Sequence, residues 1–414
     1  MEPVYIVGVG MTPFTRHLDK SVKDLAALAV GDALRDAGCD ARKVQAAFYG
    51  NCAQGLIDGQ HLVKAQVALL PLGLQGIPMF NVENACATAS TALHLAIAYL
   101  RSGACDVALA VGTDKMFVQD KATRFAIFDA AWDVDTPEQN HRRILAMGEG
   151  VEAPPGSTSP AQYSPFMDVY ASFARQYIRR FGITQRQLAA IASKNRRHAV
   201  HNERAQFRQE MSIDEVLAAP PIVYPLTLPM CSPISDGGAA AVLCTGRALD
   251  RLGLDRSRAI RVLASVVRSA SARDPEDLAQ HLTRLAANDA YEAAGVGPED
   301  IDLAEVHDAT AMGELMQSED LGLCALGEGG RLAESGATAI GGRIPINPSG
   351  GLESKGHPIG ATGLGQVFEI VSQLRGECGL RQVQSARLAV QENGGGIWGV
   401  EESVAHIGIY GRDR

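Results

Sequence analysis

The chain has 414 residues, of which 46% are hydrophobic and 21% charged, and its formal net charge is −9 at pH 7. This composition is typical of a globular protein with a sizeable core, and the acidic balance argues against nucleic acid as a general partner. No apolar run approaches the roughly 20 residues of a membrane span, and no basic or apolar leader precedes the first predicted strand. The eight cysteines include no Cys-x-x-Cys pair, so we expect no metal site or disulfide framework, and a reduced, cytoplasmic protein.

Predicted strands and helices alternate along both halves of the chain. In the first half we predict strands at 4–9, 44–49, 107–111 and 239–244, with helices at 22–37 and 86–100. In the second half we predict strands at 260–267, 301–306 and 387–391, helices at 282–294 and 358–374, and a closing segment at 397–409. Short apolar strands that alternate with longer helices favour parallel sheets with buried faces.

The two halves align with each other. Ala87-Thr88 falls on Ala361-Thr362 at a spacing of 274 residues, and Asp32-Ala33 falls on Asp289-Ala290 at a spacing of 257. Two long-range alignments in the same order indicate an internal duplication. We therefore predict an α/β fold of five layers, built from two pseudo-symmetric halves.

Cys86 stands at the start of an Ala-rich apolar run, in the segment Asn84-Ala85-Cys86-Ala87-Thr88-Ala89-Ser90. The unpaired N–H groups and the dipole at a helix start are expected to lower the pKa of the thiol, as a nucleophile near neutral pH requires. A structural role stays open on position alone, because most cysteines are small core residues.

Two histidines accompany this cysteine. His357 lies in the Gly-rich turn 350–363, which opens the helix that matches the one after Cys86, and His307 follows a predicted strand. In α/β sheets the chemistry gathers at the carboxyl ends of strands and at the helix starts beyond them. We therefore expect Cys86 and His357 to converge from the two halves, with imidazole as the base.

Together these motifs resemble those of the thiolase superfamily, most closely the sterol carrier protein-type thiolases. The resemblance rests on the segments 84–90, 307–310 and 356–363, and on the run 231–240 at the junction between the halves. It implies a thiolase-like fold with an inserted loop domain that covers the acyl-CoA. The implied domains are an N-terminal half (1–115 with 229–250), the loop domain (116–228) and a C-terminal half (251–414).

The resemblance also implies residue roles and partners. Cys86 is the expected nucleophile, His357 the base, and His307 an oxyanion donor, although a satisfied histidine at a strand end is an alternative for His307. The backbone N–H groups of Cys86 and Gly394 resemble the second oxyanion hole. No bound cofactor is expected, because a coenzyme A thioester is the substrate. A homodimer is implied, and some relatives work with a small zinc-ribbon and OB-fold subunit.

Two departures from the family pattern affect the chemistry. Glu392 occupies the place of the acid/base cysteine of degradative thiolases, and Ala309 occupies that of the alternative cysteine. Glu392 could substitute if burial raised its pKa toward neutrality. We predict a thiolase-type acyltransferase that forms or cleaves a C–C bond of a 3-oxoacyl-CoA through an acyl-cysteine. The alternatives are an aldolase-like lyase and a non-catalytic acyl-CoA or lipid-binding subunit.

A basic island lies in the predicted insertion. Between Arg175 and Arg208 there are nine Lys or Arg residues and one acid. The island is either a solvated helical face or a landing surface for the phosphates of coenzyme A. For the second interpretation, Arg196 and Arg197 are the candidate phosphate ligands.

Overall fold

The structure is a computed structural model that describes residues 2–413, with only the backbone of Lys121. Met1 and Arg414, the outer limits of the predicted halves, lie outside the described residues. The strands are β1 (Val4–Met11), β2 (Ala46–Gly50), β3 (Met79–Val82), β4 (Val107–Lys115), β5 (Pro221–Val223), β6 (Leu226–Thr227), β7 (Asp236–Thr245), β8 (Ile260–Ser269), β9 (Leu303–Glu305), β10 (Leu388–Gly395) and β11 (Val404–Arg412).

The helices cover both faces of the sheet. They are α1 (Val22–Ala37), α2 (Gln54–Ile57), α3 (Lys64–Leu69), α4 (Thr88–Arg101), α5 (Lys121–Asp129), α6 (Pro137–Met147), α7 (Phe166–Phe181), α8 (Gln185–Ala199), α9 (Ile213–Ala218), α10 (Gly246–Arg251), α11 (Leu282–Ala294), α12 (Ala311–Asp320), α13 (Gly329–Glu334), α14 (Gly351–Lys355) and α15 (Thr362–Arg375). None of these described helices is long and apolar enough to cross a membrane.

The large sheet has nine described strands in the order β3-β2-β4-β7-β1-β8-β11-β10-β9. It is mixed, so the expected parallel arrangement is correct only for its two ends. The pairs β2–β3, β2–β4 and β9–β10 are parallel, whereas β7 and β11 run antiparallel to their neighbours. The physical reason is connectivity, because β11 follows β10 through a short loop, and a parallel neighbour needs a longer crossover.

The predicted duplication is confirmed. The series β1-β7-β4-β2 and β8-β11-β10-β9 have the same pairing directions. Each half places a single 3₁₀ turn, Ala85–Ala87 or Ile359–Ala361, directly before its long helix, α4 or α15. The turns and the helices correspond at the spacing of 274 residues seen in the sequence.

Five layers follow from how these helices pack. The largest core joins α4 and α15 to the inner faces of both halves of the sheet, with Leu93 and Ile97 facing Leu364 and Val367 across the centre. A second core lies between α1 and the outer face of the first half, and a third between α11 and the outer face of the second. The order is therefore helix, sheet, paired helices, sheet, helix.

The segment 116–228, predicted as a loop domain, contains α5 to α9 and the ribbon β5–β6. Its apolar residues share one core with α12 of the second half, where Tyr170 and Phe173 belong to the same cluster as Met312 and Leu315. The segment is thus packed onto the second half. Its exact boundaries as a domain stay a prediction.

A glycine at the centre of the molecule gives a test of this packing. A Cβ on Gly363, in α15, would lie 2.6 Å from Asn393 Oδ1 and 2.8 Å from the backbone nitrogen of Ser90 in α4. We expect Gly363→Ala to lower the free energy of unfolding by about 1–3 kcal/mol, because the core is overpacked. Gly31→Ala in α1 is the matched control, since its Cβ would meet only Arg35 at 3.4 Å, and it should stabilise by about 0.5–1 kcal/mol. If the two variants change the free energy of unfolding in urea equally, the close contact at Gly363 is contradicted.

Candidate active site

A cavity of about 1200 Å³ is lined by Cys86, His307 and His357. One sulfur or nitrogen atom from each of these residues lies within 4.8 Å of the other two. The centres of the two imidazole rings are 5.2 Å apart. The fold therefore brings together the three side chains that the sequence predicts as nucleophile, oxyanion donor and base.

Cys86 occupies the 3₁₀ turn before α4 and is half-buried. Burial raises the pKa of its thiol to about 12, and the carboxylates of Glu83 and Asp114 act in the same direction. The peptide N–H groups of Cys86 and Gly396 lower this pKa, but by less. The expected lowering of the thiol pKa is thus wrong, because desolvation outweighs the helix start. A base must take the proton when the sulfur attacks.

The neighbours of His357 define which of its nitrogens can be that base. Thr362 Oγ1 donates its proton to the carbonyl oxygen of Pro358 at 3.0 Å, and lies 2.7 Å from His357 Nδ1. Since the hydroxyl proton is already used, Nδ1 carries a proton and donates it to Thr362, which leaves Nε2 with a free lone pair. Burial, with a contribution from His307, holds the pKa of His357 well below its usual value. His357 is therefore a neutral imidazole ready to accept a proton.

His307 is buried, and neither of its ring nitrogens has a hydrogen-bond partner among the described residues. Burial lowers its pKa to about 4, so the ring is neutral near pH 7 and carries one N–H donor. A satisfied structural histidine would have a partner for that donor. The geometry favours the predicted use, in which this N–H binds a developing oxyanion.

Glu392 lies behind His307 and is not part of the cavity wall. Its Oε2 accepts the backbone N–H of His307 at 2.9 Å, and its Oε1 has no partner. Burial raises the pKa of Glu392 to about 8, in the direction that the sequence analysis requires of an acid/base. The carboxyl group nevertheless contacts the backbone of His307 and does not line the cavity.

The second predicted oxyanion hole is only partly assembled. Gly394 does not line the cavity, whereas Gly395 and Gly396 do. A Cβ on Gly395 would lie 2.9 Å from the backbone nitrogen of Cys86, so this strand end approaches the nucleophile very closely. The peptide N–H of Gly396 is close enough to the Cys86 thiol to lower its pKa.

Sequence reasoning missed Asp114, which ties the two halves together below Cys86. This buried carboxylate accepts the backbone N–H of Ala53 at 2.8 Å and that of Gly360 at 2.6 Å. It thereby links the end of β2 to the turn that follows His357. The available signal was an acid near the end of strand β4, after the apolar run 107–112.

The basic island is not one surface. Protein groups already bind six of its nine cations: Arg175, Arg179, Arg180, Arg186, Lys194 and Arg204. Arg197 is exposed and does not line the cavity, whereas Arg196 is buried in the cavity wall.

Two other arginines, which the sequence analysis did not select, also line the cavity. Arg16 is exposed and Arg124 half-buried, and their guanidinium carbons lie 4.5 and 5.0 Å from the ring centre of Phe117. Both arginines lie far from the basic island in the sequence, so a search for clustered cations does not find them.

The set Cys86, His307 and His357 could hold a zinc ion, since thiolate and imidazole are its usual ligands. The same three groups are also what covalent acyl transfer requires, namely a nucleophile, a base and an oxyanion donor.

The hydroxyl of Thr362 tests the assignment of the base. Thr362→Val keeps the shape but removes the acceptor for His357 Nδ1–H, which leaves a buried donor unpaired. We expect turnover to fall by roughly 10- to 100-fold, from the usual 1–3 kcal/mol cost of such a donor. Thr362→Ser is the matched control and should retain most activity. Equal turnover in the Val and Ser variants would show that the tautomer of His357 is set by another group.

Comparisons with known proteins identify the relatives of this chain. Residues 4–216 match the family model for the thiolase N-terminal domain, and residues 264–407 match the thiolase C-terminal domain-like model. Acetyl-CoA acetyltransferase of Methanothermobacter thermautotrophicus is 36% identical over 98% of this chain and 99% of its own length. Human sterol carrier protein 2 is 36% identical over 94% of this chain and 69% of its own length.

A solved structure gives the same fold. The Ltp2-ChsH2(DUF35) aldolase superposes with a TM-score of 0.77 at 22% identity, over 100% of this chain and 98% of that one. The predicted resemblance to the sterol carrier protein-type thiolases and the thiolase-like fold are confirmed.

Proposed function

This chain belongs to the thiolase family and is a thiolase-type acyltransferase, and we propose that it forms or cleaves the C–C bond of a 3-oxoacyl-CoA through an acyl-Cys86 intermediate. The convergence of Cys86, His307 and His357 within 4.8 Å on one cavity wall carries this proposal. The aldolase-like lyase and the non-catalytic binding subunit are not favoured over it, because neither would use Cys86 as a nucleophile.

In the first step His357 Nε2 takes the proton of the Cys86 thiol while the sulfur attacks the substrate carbonyl. Because the thiol pKa is about 12, this transfer accompanies the attack and does not precede it. The N–H of His307 stabilises one developing oxyanion, and the peptide N–H groups at Cys86 and Gly396 stabilise another. Collapse of the tetrahedral adduct breaks the C–C bond in cleavage, or the C–S bond to coenzyme A in synthesis, and leaves acyl-Cys86.

The proton at the substrate carbon has two candidate carriers. Glu392 was selected from its sequence position, but its carboxyl group lies behind the backbone of His307. His307 faces the cavity with both ring nitrogens free. We propose that His307 contacts the substrate, and that Glu392 acts through it.

We propose that coenzyme A enters beside Arg16 and Arg124, whose positive charges lie on accessible parts of the cavity wall. Phosphates are strongly hydrated, so exposed guanidinium groups suit them. Phe128, Trp132 and Phe166 form an aromatic section of the wall, with neighbouring ring centres 6.2 and 6.3 Å apart. A branched or ring-bearing acyl group is the substrate that such a section favours.

We also propose a homodimer formed through β3. This strand lies at an edge of the large sheet, and Phe80 on it is 40% exposed. An exposed apolar edge strand is typical of a sheet that continues into another chain. A small zinc-ribbon and OB-fold subunit and a cytoplasmic location stay proposals from the resemblance.

The covalent intermediate can be measured by intact mass after brief incubation with a panel of acyl-CoA and 3-oxoacyl-CoA compounds. We expect the wild-type chain to gain one acyl group, and Cys86→Ala to gain none and lose all turnover. Cys52→Ala is the control, because Cys52 lines the same cavity but has no role in the mechanism. Turnover by Cys86→Ala would contradict the acyl-enzyme and support the lyase.

Glu392 should affect the pH dependence of the C–C step. With its pKa raised to about 8, the carboxyl group is protonated below that pH and ionised above it. If Glu392 is the general base that takes the proton from the substrate carbon in synthesis, the rate of synthesis rises as the pH passes 8, and Glu392→Gln removes this rise and slows the step by roughly 10²–10⁴-fold.

If Glu392 only positions His307, Glu392→Gln keeps most of the rate, because an amide oxygen can still accept the backbone N–H of His307. His307→Ala should then cause the larger loss. Acylation of Cys86 from an activated thioester, followed by intact mass, separates the C–C step from the first half-reaction in both variants. We expect this second result, in which Glu392 positions His307 and does not itself transfer the proton.

A further inference from the structure

Arg196, on α8, is a buried cation without a partner. It is 9% exposed and lines the cavity. Its guanidinium carbon lies 4.3 Å from the ring centre of Phe207, and no hydrogen bond or ion pair to Arg196 is found among the described residues. Its Nε is buried with no acceptor.

Two other arginines with buried side chains are paired. Arg273 binds Glu401 at 2.6 Å, and Arg375 binds Asp36 at 2.7 Å, with the arginine side chains 3% and 2% exposed. A buried guanidinium has five N–H donors and loses its hydration, so leaving it unpaired is costly. The exception at Arg196 therefore indicates that a ligand supplies the acceptor.

No protein acceptor makes a hydrogen bond to Arg196 among the described residues. Glu353 is the acid whose charge acts on Arg196, but its Oε2 accepts a hydrogen bond from Asn195 at 2.9 Å, and its Oε1 has no partner. Burial raises the pKa of Glu353, and the carboxyl group of Glu314 acts in the same direction, so the negative charge of Glu353 is weakened. Arg196 therefore lines the cavity without a hydrogen-bonded counter-charge among the described residues.

We propose that Arg196 binds a carboxylate on the acyl group, so that the substrates are coenzyme A thioesters whose acyl chain carries a second acid group. Phe207 covers one face of the guanidinium, which leaves the edge that carries the N–H groups for a planar, bidentate anion. The exposed Arg16 and the half-buried Arg124 suit the more highly charged, hydrated phosphates of coenzyme A. The inference rests on the proposed function only in assuming that the acyl chain enters this cavity.

The test is a binding comparison that needs no turnover. In the Cys86→Ala chain, calorimetry would measure the affinity for coenzyme A thioesters of straight-chain dicarboxylic acids of four to ten carbons, and for their terminal amides. At the best length we expect the acid to bind roughly 10- to 100-fold more tightly than the amide, as for hydrogen bonds to charged groups. Adding Arg196→Gln should make the two affinities equal, and Arg196→Lys should keep part of the preference.

Arg197→Gln is the matched control, since Arg197 is the exposed neighbour, and it should leave the preference unchanged. Because each preference is a ratio within one protein, a loss of stability in a variant does not imitate the result. Equal binding of acid and amide at every length, or a preference that survives Arg196→Gln, would overturn the inference.

A third result would also overturn it. If Arg196→Gln weakens free coenzyme A and both thioesters by the same factor, Arg196 is a phosphate ligand. The proposed function is judged separately from acyl-Cys86 in the wild-type chain. If the wild-type chain forms acyl-Cys86 and turns over substrate but binds acid and amide equally, only this inference is wrong. If it prefers the acid but forms no acyl-Cys86, only the proposed function is wrong.

Discussion

The contact between α4 and α15 is the constraint on which the rest of the structure depends. These two helices fill the space between the halves of the sheet, and Ser90 Oγ of α4 donates to Asn393 Oδ1 at 2.7 Å where β10 ends. Gly363 permits this approach because any side chain there would meet Ser90. Since Cys86 precedes one helix and His357 precedes the other, the same contact brings nucleophile and base together.

That position has an electrostatic consequence. Removal of water favours the neutral form of every group in the cluster, so Cys86 is a thiol and both histidines are neutral. Without substrate, the three side chains of the cluster therefore form no ion pair with one another. In the proposed mechanism, charge develops only when substrate is bound, where the N–H groups of His307, Cys86 and Gly396 stabilise it.

Burial also decides how the charged residues of the inserted segment are used. Lys194 is bound to Glu314, and Asn195 donates to Asp308, Glu314 and Glu353. These contacts attach α8 to the loop that carries His307. Of the basic island, Arg179, Arg180 and Lys194 therefore join the segment to the second half, and Arg196 is the member left facing the cavity.

The sequence by itself determined the duplication, the five-layer fold and the three residues of the central cluster. It could do so because repeat spacing, helix starts and motif residues are local in the chain, and the same short motif recurs at a fixed distance. It could not determine strand directions at β7 and β11, which depend on how the connections pass over the sheet.

Only the tertiary structure decided the protonation of Cys86, the location of Glu392 behind His307 and the separation of Arg196 from Arg197. Each of these depends on which neighbours exclude water from a side chain. Those neighbours, such as Glu83, Asp114 and Phe207, come from different elements, so the surroundings of a charge are settled by packing and not by its place in the sequence.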